Sequence, residues 1–154
     1  MIDGGAFFID RLTQPGDVVY DPFAGRGTTA LEAALRGRIP FANDASPLST
    51  MLLRPRLSPP TIAAVGERLD ALDLRWDGAV SEELLAFYHP DTLRELCALR
   101  DRLLRRQAEG RLDGVDEWIR MVAVNRLTGH SPGFFSVYTL PPNQAASLTA
   151  QRKI

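Results

Sequence analysis

Cysteine, lysine and histidine are scarce in this chain. Of 154 residues only Cys97 is a cysteine, so no internal disulfide can form, and the composition fits a reducing cytosol. Lys153 is the only lysine, so arginine carries the positive charge. Two histidines and one cysteine are too few for a metal cluster, and no metal site is expected. There is no charge excess either. The net charge is −1 and the pI about 6.1, so any nucleic-acid contact has to come from a local patch. No basic segment followed by an apolar core opens the sequence, and no apolar run reaches membrane-spanning length. The expectation is a cytoplasmic protein without a membrane partner. No G-x-x-x-x-G-K-[ST] occurs, which argues against a P-loop.

The sequence does contain enough apolar residues for a core, 45%, with an ordinary 24% charged. Its most informative stretch is Val18-Val19-Tyr20-Asp21-Pro22-Phe23-Ala24-Gly25-Arg26-Gly27-Thr28-Thr29. A short apolar run ends in an acid, a glycine loop follows, and a helical pattern begins. This is the layout of a nucleotide-cofactor site at the end of a parallel strand. Upstream, Ala6 to Leu12 reads as a short amphipathic helix, ended by the turn Thr13-Gln14-Pro15-Gly16. Asp17 to Asp21 is a strand, and its lack of alternation predicts burial on both faces. Thr29 and Glu32 fit a capping box, and Gly37 a C-cap. Ile39 to Asp44 is a second strand, completing a βαβ unit.

Beyond Asp44, Pro47, Pro55, Pro59 and Pro60 mark a connector. Ser58-Pro59 reads as the start of a helix striped by Ile62, Val65, Leu69 and Leu72. Leu72 to Trp76 is a short strand or a helix end, and Ser81 to Tyr88 a short helix. His89-Pro90 opens a helix with Thr92 and Glu95 as its capping box and Leu93, Leu96, Leu99 and Leu103 on one face. A further helix runs from about Val115 to Leu127. Residues 128–154 form a Gly-, Pro- and aromatic-rich loop and a terminal helix. The chain therefore divides into a βαβ half over 1–58, a helical segment over 59–127, and a tail over 128–154.

Gly25 and Gly27 allow close backbone approach and positive φ. The helix from Thr28 aims its N-terminal amides at the same place. Asp44 follows Gly27 by 17 positions (44 − 27), a spacing at which a carboxylate can accept both ribose hydroxyls. Gly25, Gly27 and Ala30 also fit G-x-G-x-x-A, which leaves an NAD(P) module open as an alternative.

Asp21 to Thr29 resembles motif I of the S-adenosylmethionine-dependent amino-methyltransferases that modify adenine N6 or cytosine N4 in DNA. Related RNA guanine-N2 enzymes have a similar motif. Asn43-Asp44-Ala45-Ser46-Pro47 is similar to the family's following acidic segment. The resemblance covers residues 7 to 50. It implies an α/β Rossmann-like methyltransferase fold, here incomplete, with a large helical segment. It also implies S-adenosylmethionine as cofactor and DNA, or RNA, as partner. The implied cofactor-binding residues are Asp21, Pro22, Phe23, Ala24, Gly25, Gly27, Thr28 and Asp44. Among them Asp21, Phe23, Gly25 and Gly27 would contact the methionine part and Asp44 the ribose, with Phe7 and Phe8 on a helix shaping the pocket.

The family's catalytic [DNS]-P-P-[YFW] motif has no match. Ser58-Pro59-Pro60-Thr61 lacks the aromatic end, and Leu140-Pro141-Pro142-Asn143 lacks both ends, so both read as structural. No catalytic residue is identifiable. The expectation is the cofactor-binding part of a longer or split enzyme, with a non-catalytic S-adenosylmethionine-binding subunit as the alternative. An incomplete sheet implies self-association or a partner chain completing it. Arg126, His130, Phe134 and Tyr138 are the candidates for nucleic-acid contact. Arg94, Arg100, Arg102, Arg105, Arg106 and Arg111 read as a solvated basic flank, Cys97 as a core residue, and His89 as a helix cap.

Overall fold

A computed structural model describes residues 4–127. They fall into two compact units, divided after Thr61.

The first unit runs α1 (Gly4–Leu12), β1 (Val18–Asp21), α2 (Thr28–Leu35), β2 (Ile39–Ala42) and α3 (Pro47–Leu57). β1 and β2 pair in parallel, with Val18 opposite Ile39 and Asp21 opposite Ala42. The ladder is extended by the amides of Ile39 and Asn43, which donate to the carbonyls of Asp17 and Asp21, each at 2.9 Å. Helix α2 crosses between the strands and packs on both, with α1 beside it. Ala30 and Ala33 of α2 and Ala6 and Ile9 of α1 are its buried centre. Small side chains there let the helices approach closely. Arg38, at the foot of β2, donates to the Thr13 hydroxyl at 3.0 Å and the Thr13 carbonyl at 2.7 Å, tying the end of α1 to the sheet.

Two-sided burial of β1 does not occur. Val18 and Tyr20 are 58% and 60% exposed, and their neighbours Ile39 and Phe41 on the same face 49% and 56%. Non-alternating apolar strands signal cover on both faces, and here the described helices of this unit cover only one. Helix α2 ends as expected. Gly37 takes φ +73, its amide bonds to Ala34 and that of Arg38 to Ala33, which together form a Schellman motif. Its start differs from the sequence reading. Gly27 is the N-cap, and Glu32 pairs with Arg36 one turn on rather than reaching back to Thr29.

The connector expected after Asp44 contains a helix, α3. Ser46 is its N-cap, accepting from the Leu48 amide at 3.3 Å, Pro47 stands at N1, and Pro55 lies inside the helix. Ser58 is the C-cap of α3 and does not begin the next helix.

The second unit comprises α4 (Ile62–Asp70), α5 (Pro90–Ala108) and α6 (Gly114–Arg126), with a 3-10 turn at Leu84–Ala86 in place of the helix expected over 81–88. The α4 stripe is not a buried face, since Ile62 is 92% exposed. Leu72 to Trp76 is neither strand nor helix. Asp73 grips Arg75, and the Trp76 indole donates to the Ala79 carbonyl at 3.2 Å. His89 caps α5 through Nδ1, so Thr92 and Glu95 form no capping box there. Leu93, Ala98, Leu103, Ile119 and Met121 form the core of this unit. Cys97 is half-buried.

Its polar centre is Asp116, only 2% exposed. Arg68 from α4 and Arg106 from α5 both bind its carboxylate, Arg106 Nε at 2.5 Å. Asp113 binds the same two arginines, at 2.8 and 3.2 Å, and shares a capping box with Asp116. Arg106 therefore belongs to an internal network, unlike the solvated arginine flank expected of α5.

Candidate cofactor site

The loop from Asp21 to Gly27 is fixed by bonds within it and by bonds to the residues that follow β2. Asp21 ends β1 and accepts the Phe23 amide on Oδ1 at 3.0 Å, which turns the chain at Pro22. The Ala24 amide donates to the Asn43 carbonyl at 2.9 Å, pinning the loop to the end of β2. Gly25 and Gly27 adopt φ +54 and +80, where a Cβ is strained. The Gly27 amide returns to the Ala24 carbonyl at 2.7 Å, and α2 starts at the next residue.

The two glycines do different work. A Cβ on Gly27 would sit 2.6 Å from Leu53 Cδ1, so α3 presses against the loop there. A Cβ on Gly25 would meet nothing within 4 Å, so this part of the loop opens outward. Arg56 of α3 also reaches the Arg26 carbonyl, at 3.5 Å.

Asp44 lies beside the loop. Its Oδ2 accepts the Gly25 amide at 2.7 Å and its Oδ1 the Ser46 amide at 2.8 Å. These two bonds, Ser46 first, hold its carboxyl below the usual carboxylate range. Phe23 projects into solvent, 86% exposed.

The structure thus gathers Asp21, Pro22, Phe23, Ala24, Gly25, Gly27 and Asp44 around one loop, with Thr28 opening the helix behind it. Sequence reasoning missed the α3 side of this site, Ser46, Leu53 and Arg56. The Ser46-Pro47 pair, a cap followed by proline at N1, was the signal that could have found it. A shallow cleft of about 370 Å³ lies elsewhere, lined by Ala6, Phe7, Asp10, Arg11 and Arg36. It sits toward the end of α2 away from the glycine loop and shares no residue with it. Phe7 therefore lines that cleft, packed edge-on against Phe8 at 5.5 Å. Arg126 is exposed at the end of α6, in the other unit. His130, Phe134, Tyr138 and the Pro141-Pro142 pair lie outside the described residues. Among the described residues, no group of three metal-ligating side chains comes together, and no helix is long and apolar enough to cross a membrane.

Residues 6–44 match the model of a protein family described as DNA methylase, of the N6/N4 type. The match begins in α1, spans β1, the glycine loop, α2 and β2, and ends on Asp44. No curated protein and no solved structure matches the chain. By this match the first unit is similar to part of a DNA methyltransferase.

Proposed function

We propose that the chain is the cofactor-binding part of an S-adenosylmethionine-dependent DNA amino-methyltransferase with a Rossmann-like fold. The observation that carries this reading is the coincidence of the DNA methylase match with the strand–loop–helix–strand unit, closed by Asp44 at its last residue. The residues present suit that cofactor. The open side of the loop at Gly25 gives room for backbone approach. The α2 N-terminus has no side-chain cap, leaving its dipole for a carboxylate. A carboxylate at the end of β2 stands where a ribose hydroxyl needs an acceptor.

In this reading Asp21, Phe23, Gly25 and Gly27 hold the methionine end and Asp44 the ribose, with Pro22, Ala24 and Thr28 completing the cofactor-binding set. S-adenosylmethionine supplies a sulfonium-activated methyl group for in-line transfer to an exocyclic amino nitrogen. The chain's own residues orient the donor. They include no group assigned to the target base, so the complete activity requires further residues, with a non-catalytic S-adenosylmethionine-binding subunit as the alternative. DNA is the proposed partner of the complete enzyme, and RNA the alternative nucleic acid. A second copy of the chain is the proposed occupant of the bare sheet face.

Calorimetric titration with S-adenosylmethionine, S-adenosylhomocysteine and NAD tests the proposal. Binding of the first two, without NAD, is expected. Tight NAD binding with no response to the methyl donor would replace this reading with that of a dinucleotide module.

A further inference from the structure

On the reading of DNA as the partner, we infer that Arg56, in the last turn of α3, binds a backbone phosphate of the DNA on the flank of the glycine loop. Arg56 is half-buried, and one of its terminal N–H groups donates to the Arg26 carbonyl at 3.5 Å. That is long for such a bond. Among the described residues this carbonyl is its one acceptor, and no carboxylate pairs with it. Other arginines of the unit are neutralised. Arg36 pairs with Asp10 and Glu32, and Arg38 with Asp10.

The sequence keeps acids away from this flank. None occurs from Pro22 to Leu31, in the loop and the start of α2, and none from Ala45 to Gly66, a stretch that includes all of α3. The two acids that bound the loop, Asp21 and Asp44, are turned onto backbone amides. A second cationic residue, Arg26, lies exposed in the loop itself. In a chain of net charge −1, a local patch of this kind is what nucleic-acid contact requires.

Geometry separates this cation from the place of the cofactor. Arg56 follows Leu53 by three positions, so the two share one side of α3. Leu53 closes the loop at Gly27, where an added Cβ would lie 2.6 Å from its Cδ1. The open side is at Gly25. A base brought to that open side carries its sugar-phosphate backbone with it along the rim of the loop. A guanidinium suits phosphate oxygens, and phosphate contacts set register without reading sequence. Arg56 therefore orients the strand and leaves base selection to other residues. A cation in the last turn of a helix is also favoured by the helix dipole, but that role affects stability alone.

Fluorescence anisotropy of the full chain with a labelled single-stranded DNA of mixed sequence, from roughly 50 to 200 mM salt, tests this. Arg56→Gln is expected to weaken binding roughly 5- to 10-fold at the low-salt end and to flatten the salt dependence by about 0.7 in log–log slope, the share of one phosphate on a single strand. Arg56→Lys, which keeps the charge, should restore the slope. Affinity for S-adenosylhomocysteine, read by calorimetry, should not change in either variant. Unchanged DNA affinity and slope in a folded Arg56→Gln chain would overturn the inference and leave Arg56 as a helix-end charge. Equal losses for DNA and S-adenosylhomocysteine would overturn it too, by assigning the cation to the cofactor's carboxylate. So would a parent chain that binds no DNA at low salt. If S-adenosylhomocysteine does not bind the parent chain, the cofactor reading falls, and the salt slope still decides the role of Arg56.

Discussion

Gly25 and Gly27 look equivalent in the sequence, yet they should respond differently to the same change. Gly27→Ala incurs both a left-handed backbone at φ +80 and a contact of 2.6 Å with Leu53, whose side chain is held in the buried face of α3. A loss of about 2–4 kcal/mol in urea unfolding is expected. Gly25→Ala meets open space and carries backbone strain alone, so about 1 kcal/mol is expected. Its larger effect should be on ligand affinity, because its Cβ enters the open side of the loop. Comparable destabilisation by the two variants would show that α3 does not press on the loop as described. The need for glycine at both positions was legible from the sequence. The neighbour that distinguishes them was not, because Leu53 lies 26 residues further on (53 − 27) in a segment read as a connector.

Elements read by periodicity or turn chemistry alone were found where local bonds decide them. Helix α1, the strand–helix–strand order, the Gly37 terminus and the long α5 are of this kind. Capping boxes were less reliable. Thr29 with Glu32 and Thr92 with Glu95 have the spacing, but Gly27 and His89 take the cap position one or more residues earlier. The box that does form, Asp113 with Asp116, serves a larger purpose in the second unit. Asp116 joins α4, α5 and α6 through Arg68 and Arg106 while almost fully buried. Asp116→Ala leaves Asp113 as the one carboxylate of this network facing both arginines and breaks the cap. A loss of about 3 kcal/mol in chemical unfolding is expected. Asp113 adds a pH dependence. The Arg68 hydrogen bond, its largest influence, holds this carboxyl at about 2 against an ordinary 3.8. A depressed folded-state value means that its contribution is fully present above the ordinary value and is lost as pH falls from there toward about 2. Arg68→Gln should therefore flatten the acid limb of the stability curve between these values, read by circular dichroism.

The uncovered sheet face matters at the scale of the whole molecule. Val18, Tyr20, Ile39 and Phe41 form two cross-strand pairs on one apolar surface, each residue about half exposed. Parallel sheets are normally covered on both faces. The four side chains present roughly 450 Å² of surface, so two copies stacked on it would bury about 900 Å² in total, below the range of stable interfaces and within that of weak encounters. Each face carries β-branched residues at one end and rings at the other, so a two-fold axis would set rings over Val18 and Ile39. A weak, concentration-dependent dimer is expected in sedimentation equilibrium. Tyr20→Glu should abolish it without unfolding the chain, since the residue is already 60% exposed. Phe8→Glu, on α1, should not change it. A monomer at several hundred micromolar would rule the interface out.

The sequence by itself determined what depends on neighbours along the chain. It set the glycine turn after a strand ending in Asp21, the helix behind it, and the acidic residue closing the second strand. These are backbone requirements and short-range hydrogen bonds, and they left enough of a pattern for residues 6–44 to be similar to a DNA methylase family. Only the tertiary structure decided what depends on distant partners. It turned the Asp44 carboxylate onto Gly25, packed Leu53 against Gly27, buried Asp116 between two arginines, and left one face of β1 bare. Each of these outcomes depends on which surfaces meet across tens of residues, and periodicity along the chain carries no information about that.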